Sequence, residues 1–162
     1  MTPAPRPLAV FDLDGTLADV RHRLHHIERR PKDWDAFFAA ARYDQPLARG
    51  VELARGSAAE CEVVYVTGRP ESCRADTVDW LARHGLPPGE LRMRGPRDRR
   101  PARVTKPELL RRLAAGRRVA LVADDDPQVC DAYERDGFPV VRAAWMTARR
   151  SLAEAQEGEG RT

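Results

Sequence analysis

Lysine is nearly missing from this sequence. Of 28 basic residues only Lys32 and Lys106 are lysine, asparagine is absent, and Ile27 is the sole isoleucine. Ala and Arg abound instead, a pattern of coding bias, so a lysine kept against it points to a chemical need. Cysteine is scarce too: Cys61, Cys73 and Cys130, an odd number without a C-x-x-C pair. That argues against a disulfide framework or a zinc knuckle and fits free thiols in a reducing cytoplasm. No apolar run exceeds about seven residues, where a membrane span needs about twenty. The opening Met-Thr-Pro-Ala-Pro-Arg-Pro has no apolar core of signal-peptide length, so a cytoplasmic protein is expected. Neither lysine follows a glycine, so the G-x-x-x-x-G-K-[ST] loop of a P-loop kinase is absent.

What is present is an ordinary globular mix. At 162 residues, 42% hydrophobic and 33% charged, the chain has room for one domain. Short apolar runs alternate with helical stretches, which is the α/β pattern. Strands are expected at Leu8–Phe11, Glu62–Val66, Leu91–Arg94, Arg118–Ala123 and Pro139–Arg142. Their continuous apolar character suits a parallel sheet covered on both faces. Helices are expected at Leu47–Ala59, Ser72–His84, Thr105–Ala115 and from Asp126 to Gly137. Asp126-Pro127 supplies the last with an N-cap and a first-position proline. Thr105-Lys106-Pro107-Glu108 fits a capping box for the third. A partly helical insert, residues 19–46, follows the first strand. Residues 1–150 form the domain, and the Glu- and Gly-rich residues 151–162 are expected to fray as an acidic tail.

The net charge of +3 is unevenly spread. From Arg92 to Arg118 eleven basic residues face only Asp98 and Glu108, a local +9, so the remainder carries about −6. Charge alone allows two readings of this stretch, a polyanionic partner or a solvated face.

Chemistry concentrates at the strand ends. Asp12 and Asp14 follow the first strand, and a Gly15-Thr16 turn comes next. Positions i and i+2 of an extended chain share a side, and the carboxyl end of a parallel strand is where α/β folds bind ligands. Two like charges that close need a cation or a shared proton. Asp124, Asp125 and Asp126 end the fourth strand and converge with the first pair if those strands are neighbours. Acids clustered without His or Cys suit magnesium rather than zinc. Thr67-Gly68-Arg69-Pro70 closes the second strand, where a hydroxyl, a glycine amide and a guanidinium can hold a phosphoryl group. Lys106, placed in the first turn of its expected helix, opposes the helix dipole there. A compact point charge of that kind suits phosphate.

With these four motifs in order, the chain resembles the haloacid dehalogenase-like hydrolases, in their magnesium-dependent phosphatase branch. Asp12-Leu13-Asp14-Gly15-Thr16 matches the first motif, Thr67 the second, Lys106 the third and Asp124-Asp125 the fourth. The resemblance implies a Rossmann-like three-layer sandwich with a central, mostly parallel five-stranded sheet and a small helical insert after the first strand. It also implies roles. Asp12 would attack phosphorus and form an aspartyl-phosphate, and Asp14 would serve as acid and then base. Thr67 and Lys106 would hold phosphoryl oxygens. Asp12, the Asp14 carbonyl and Asp124 would ligate Mg2+, with Asp125 a further ligand through water or a partner of Lys106.

More closely, the chain is similar to the 3′-phosphatase domain of bacteriophage polynucleotide kinase and its bacterial relatives. The residues that carry this are Arg21-His22-Arg23-Leu24, Asp33-Trp34-Asp35-Ala36-Phe37-Phe38, Val66 to Ser72, Met93-Arg94 and Val122 to Asp125 with Gln128-Val129. This likeness implies Arg23, Gly68 and Arg69 at the substrate phosphate, a nucleic acid 3′ end as substrate, and the +9 stretch along its backbone. A 5′-kinase or a ligase would be a separate protein. Two positions depart from the pattern. Ala102 stands where an acid four residues before Lys106 is common, with Asp98 as a substitute, and Asp126 stands where arginine is common. A nucleotide or sugar phosphatase and a phosphate-binding module without turnover are the alternatives.

The remaining features have plain readings. His22, His25 and His26 lack a clear fourth ligand and read as a solvated or phosphate-facing helix. Trp34, Phe37 and Phe38 could stack on a base, but their i, i+3, i+4 spacing favours packing on the core. Trp80, Leu81 and Val78 read as core, and Trp145 as a cover for the sheet edge.

Overall fold

Strand β1, Leu8–Phe11, is buried along its whole length. Leu8 and Val10 enter one apolar cluster, while Ala9 and Phe11 enter another on the opposite face. A strand buried on both sides needs a covering layer on each, and the rest of the chain supplies them. The computed structural model describes all 162 residues.

After β1 comes the insert. It holds a two-residue strand β2 (Ala18–Asp19), a 3-10 turn at Arg21–Arg23, and helix α1 (His25–Glu28). Helix α2 (Trp34–Ala39) and strand β3 (Gln45–Pro46) complete it, and β3 pairs antiparallel with β2. Helix α3 (Ala48–Ser57) leads to strand β4 (Glu62–Pro70), followed by α4 (Arg74–Arg83) and β5 (Leu91–Arg94). Helix α5 (Ala102–Ala114), strand β6 (Val119–Asp124), helix α6 (Pro127–Arg135) and strand β7 (Val140–Arg142) follow. The five-stranded sheet has the order β5-β4-β1-β6-β7 with every pair parallel, so β1 is central with β4 and β6 beside it. This is the expected Rossmann-type α/β sandwich with a small insert after its first strand.

One face packs Phe11, Tyr65 and Trp80 with Val51 and Ala54 of α3. The other packs Val10, Val64 and Val122 with Leu110 of α5 and Val129 and Tyr133 of α6. A third cluster joins the insert (Val20, Leu24, Ile27, Phe37) to Met146, Leu152 and Ala155. Phe37 is buried there with Trp34 and Phe38 packed against it, so the three aromatics form a core-facing helix side, as their spacing indicates. Val78 departs from the core reading: it is 51% exposed on α4.

Two further differences matter for function. Helix α5 begins at Ala102, three residues before the expected capping box, and Pro101 precedes it without a side-chain cap. Thr105 cannot cap, because its hydroxyl accepts from Arg94 and donates to Asp98 Oδ2. Lys106 therefore lies in the second turn, away from the dipole's positive end. The other difference is at the C-terminus, where the expected frayed tail is placed as structure. Helix α7 (Arg150–Ala153) runs into a π turn at Glu154–Gly158. Leu152 and Ala155 are its buried contacts with the insert, which a charge-rich composition conceals.

Candidate active site

Parallel pairing fixes the first acid. The Asp12 amide donates to the Ala123 carbonyl at 3.0 Å, which extends the β1–β6 ladder one step and aligns Asp12 beside Asp124. The chain then turns sharply: Thr16, Leu17 and Ala18 all donate backbone bonds to the Leu13 carbonyl. Gly15 makes that turn with φ +85°, and a Cβ there would strike the Asp125 carboxylate. The turn glycine thus sets how closely the two acidic strand ends approach.

Asp12 is held from two sides. Thr16 Oγ1 donates to its Oδ2 at 3.0 Å and Lys106 Nζ to its Oδ1 at 2.8 Å. Lys106 Nζ also reaches Asp124 Oδ2 at 2.8 Å, and the Asp126 amide donates to Asp124 Oδ1. Burial opposes the charge on Lys106, but Asp12 and Asp124 outweigh it and hold the amine protonated. Asp126 caps α6 by accepting from the Gln128 amide, with Pro127 at the first helical position.

Carboxylate oxygens of Asp12, Asp124 and Asp125 lie within 4.8 Å of one another. Burial and the Asp12 charge push Asp124 up to about 7 against the pull of Lys106, and the same causes raise Asp125. Three crowded acids with one amine between them are short of positive charge, and hard oxygen donors suit a divalent cation such as magnesium. These residues therefore fit the cation that the sequence implies. The Asp14 side chain is not part of this cluster. Lys106 pairs with Asp12 and Asp124, and Asp125 instead accepts from Gln156 Nε2 at 3.4 Å.

Asp14 sits in a separate cage. Its Oδ1 accepts from Arg69 Nε at 2.8 Å, Arg69 Nη2 at 2.6 Å and Arg23 Nη2 at 2.9 Å. Its Oδ2 accepts from Thr162 Oγ1 at 2.6 Å. Burial would raise this carboxyl, but the Arg69 and Arg23 guanidinium groups prevail and hold it well below the usual carboxylate range. Asp44, which sequence reasoning missed, closes the cage by accepting from Arg23 and Arg69.

The structure thus brings Arg23 and Arg69 to Asp14 and Asp44, with both arginines buried. Thr67 and Gly68 lie beside them in β4, and Thr67 Oγ1 accepts from the Arg69 amide. Arg94, also unassigned by sequence, donates to the Gly68 carbonyl at 2.9 Å and to the Arg100 carbonyl at 2.7 Å. Burial lowers its pKa to about 10.

Several expected substitutes take other roles. Asp98 bonds Arg100 and Thr105 rather than Lys106, and Ala102 is buried in the core. His22 Nε2 lies 2.7 Å from Asp44 Oδ1, and no histidine joins the carboxylate cluster. Trp145 Nε1 donates to the Thr16 carbonyl, bracing the turn after Asp14.

The +9 stretch is largely neutralised on folding. Arg92 pairs with Glu90, Arg100 with Asp98 and Glu108, Arg103 with Glu157, Arg111 with Asp136 and Arg117 with Glu62. Arg97, Arg99 and Arg118 are its exposed members outside any ion pair.

No curated protein matches the chain. A structure of a Pnkp1/Rnl/Hen1 complex is similar at TM-score 0.72 and 24% identity, over 87% of this chain and 47% of that one. A structure of the Pnkp1/Rnl/Hen1 RNA repair complex gives 0.69 and 25%, over 85% and 42%. The chain spans less than half the length of these two. The class C acid phosphatase from Bacillus anthracis, solved with tungstate bound, shares the fold at TM-score 0.61 and 14% identity, over 94% of this chain and 78% of that one. No helix here is long and apolar enough to cross a membrane. The family model of the polynucleotide kinase PNKP phosphatase domain matches residues 7–145, and the chain belongs to that family, within the haloacid dehalogenase-like fold.

Proposed function

We propose that this protein is a magnesium-dependent phosphomonoesterase that removes 3′-phosphates from nucleic acid ends. One observation carries the reading: a buried carboxylate, Asp12, fixed by Lys106 and Thr16 beside Asp124 and Asp125, with a second acid caged two residues away.

Asp12 is the nucleophile. Its carboxylate oxygen forms a bond to phosphorus as the bond from phosphorus to the leaving oxygen breaks, giving an aspartyl-phosphate. Asp14 delivers a proton to the leaving oxygen, then takes one from the water that hydrolyses the intermediate. Because Arg69 and Arg23 hold it ionised in this arrangement, the acid step requires that the substrate phosphate draw those guanidinium groups off its carboxylate first. Lys106, Thr67 and the Gly68 amide hold phosphoryl oxygens, and Lys106 keeps Asp12 aimed. Arg23 and Arg69 orient Asp14 and supply positive charge at the substrate side. Asp12, Asp124 and the Asp14 carbonyl would hold magnesium, with Asp125 sharing through water, and the bound ion would offset the charge on nucleophile and phosphate. Membership in the PNKP phosphatase-domain family supports the 3′-end substrate. The repair complex of a similar protein holds Rnl and Hen1 as further components. A kinase or ligase, in the cytoplasm, is the matching partner here.

One observation favours a smaller substrate, a nucleotide or sugar phosphate: the basic stretch is paired internally, leaving little charge for a long backbone. Phosphate release decides between them. The assay compares a 3′-phosphate oligonucleotide, its 5′-phosphate counterpart and nucleoside monophosphates, with magnesium and with EDTA. Selective 3′-end turnover, abolished by EDTA and by Asp12→Asn, is expected. Turnover of mononucleotides alone would replace the polynucleotide reading with the small-substrate one.

A further inference from the structure

The segment Glu159–Thr162 ends against Asp14 and Gly68, where the proposed function puts the substrate phosphate. Thr162 is buried, and its hydroxyl occupies Asp14 Oδ2 at 2.6 Å. Its backbone carbon presses on Gly68 so closely that a Cβ on Gly68 would overlap it. With Arg69 and Arg23 on Oδ1, neither oxygen of Asp14 is free to face a leaving group. Just upstream, Gln156 holds Asp125.

The attachments of this segment differ along its length. Leu152 and Ala155 anchor α7 in the apolar cluster with the insert. Beyond Gly158 the contacts are polar or at the surface. Lys32 pairs with Glu159, the Arg161 guanidinium lies 4.6 Å over the Trp34 ring, and the Arg161 amide donates to the Ala155 carbonyl at 2.8 Å. Gly160 takes φ +58° and passes so close to the Arg99 and Arg100 carbonyls that a Cβ there would overlap both. The Thr162 hydroxyl stands at Asp14 where the proposed mechanism puts a leaving-group oxygen, and its backbone stands against Gly68 where that mechanism puts a phosphoryl oxygen.

We infer that Glu159–Thr162 is an autoinhibitory plug, anchored by α7 and displaced when a phosphate-bearing ligand enters between Asp14 and Gly68. The inference rests on the phosphatase reading for its substrate, but the covering of Asp14 and Gly68 by Thr162 stands on the contacts alone. Affinity for a ligand that must wait for an open site falls by the open fraction. A plug in place about four-fifths of the time therefore weakens binding about fivefold.

Two variants keep the α7 anchor: deletion of residues 159–162, and Gly160→Val, whose side chain cannot fit against Arg99 and Arg100. Inorganic phosphate with magnesium is the binding probe, read by calorimetry, and hydrogen exchange of peptide 154–162 reports the segment itself. Both variants are expected to bind phosphate at least fivefold tighter. In the unaltered chain, phosphate should speed exchange in that peptide. Where 3′-phosphate turnover is present, KM should fall by the same factor in both variants. Unchanged or weaker phosphate binding in the deletion variant overturns the plug, even if the enzyme turns over. Tighter binding without turnover in any variant upholds the plug and overturns the phosphatase reading instead.

Discussion

At the scale of single residues the site is an exercise in charge balance. Arg23 and Arg69 are buried beside two buried acids, Asp14 and Asp44. Asp44 takes three guanidinium bonds, from Arg23 Nε at 2.8 Å, Arg23 Nη2 at 2.9 Å and Arg69 Nη2 at 3.0 Å, and its carbonyl accepts from Trp80 Nε1. Removing one member of such a set strands a charge away from water. Asp44→Ala is therefore expected to cost about 3–5 kcal/mol in urea unfolding. Asp44→Asn, which keeps the shape and some acceptors, should cost less. A loss under about 1 kcal/mol for the alanine variant would mean that water reaches the arginines and that Asp44 is no part of the balance. Its role was not legible in sequence. Asp44 falls in the insert outside any motif, and nothing in the spacing relates it to arginines 21 and 25 residues away. Asp12, Asp14, Thr67 and Asp124 were legible because each stands at or just past a strand end, and Lys106 because lysine is so rare in this chain; the structure brings Lys106 to Asp12 and Asp124.

At the scale of elements, legibility followed burial. The strands β1, β4 and β6 were readable because both faces are covered, which leaves an unbroken apolar run. The start of α5 was misread because Thr105, a good cap in isolation, serves Arg94 and Asp98 instead. The C-terminal segment was misread because its only strong apolar signal, Leu152 with Ala155, sits among Glu, Gly and Arg. Its partner surface, the insert, is over a hundred positions away in sequence. That packing can be tested directly. Leu152 is buried against Val20, Leu24, Ile27 and Phe37. Leu152→Ala should cost about 2–5 kcal/mol of unfolding free energy, the range for a buried leucine. A frayed tail would lose less than about 0.5 kcal/mol, as surface positions do. The variant should also speed hydrogen exchange in residues 19–46, since the same cluster holds the insert down.

For the whole molecule the question is how a chain of net charge +3 would meet the polyanion proposed as its substrate. Eleven basic residues in one stretch suggested a long electrostatic track. The fold sets acids from β4, the cap after α6 and the π turn after α7 against that track, and Lys106 turns inward to Asp12 and Asp124. Three exposed arginines, Arg97, Arg99 and Arg118, are left outside ion pairs. On single strands each neutralised phosphate contributes a slope of about −0.7 in log affinity against log salt. Two or three such contacts predict that binding weakens about 7- to 20-fold between 50 and 200 mM salt, whereas eleven would predict more than about 10⁴-fold. The measurement is the affinity of Asp12→Asn for a 3′-phosphate oligonucleotide at the two salt concentrations, with magnesium fixed. A shallow slope would mean that recognition centres on the terminal phosphate and the buried arginines around it. A steep slope would mean that the surface ion pairs open to the ligand, which their small individual worth permits.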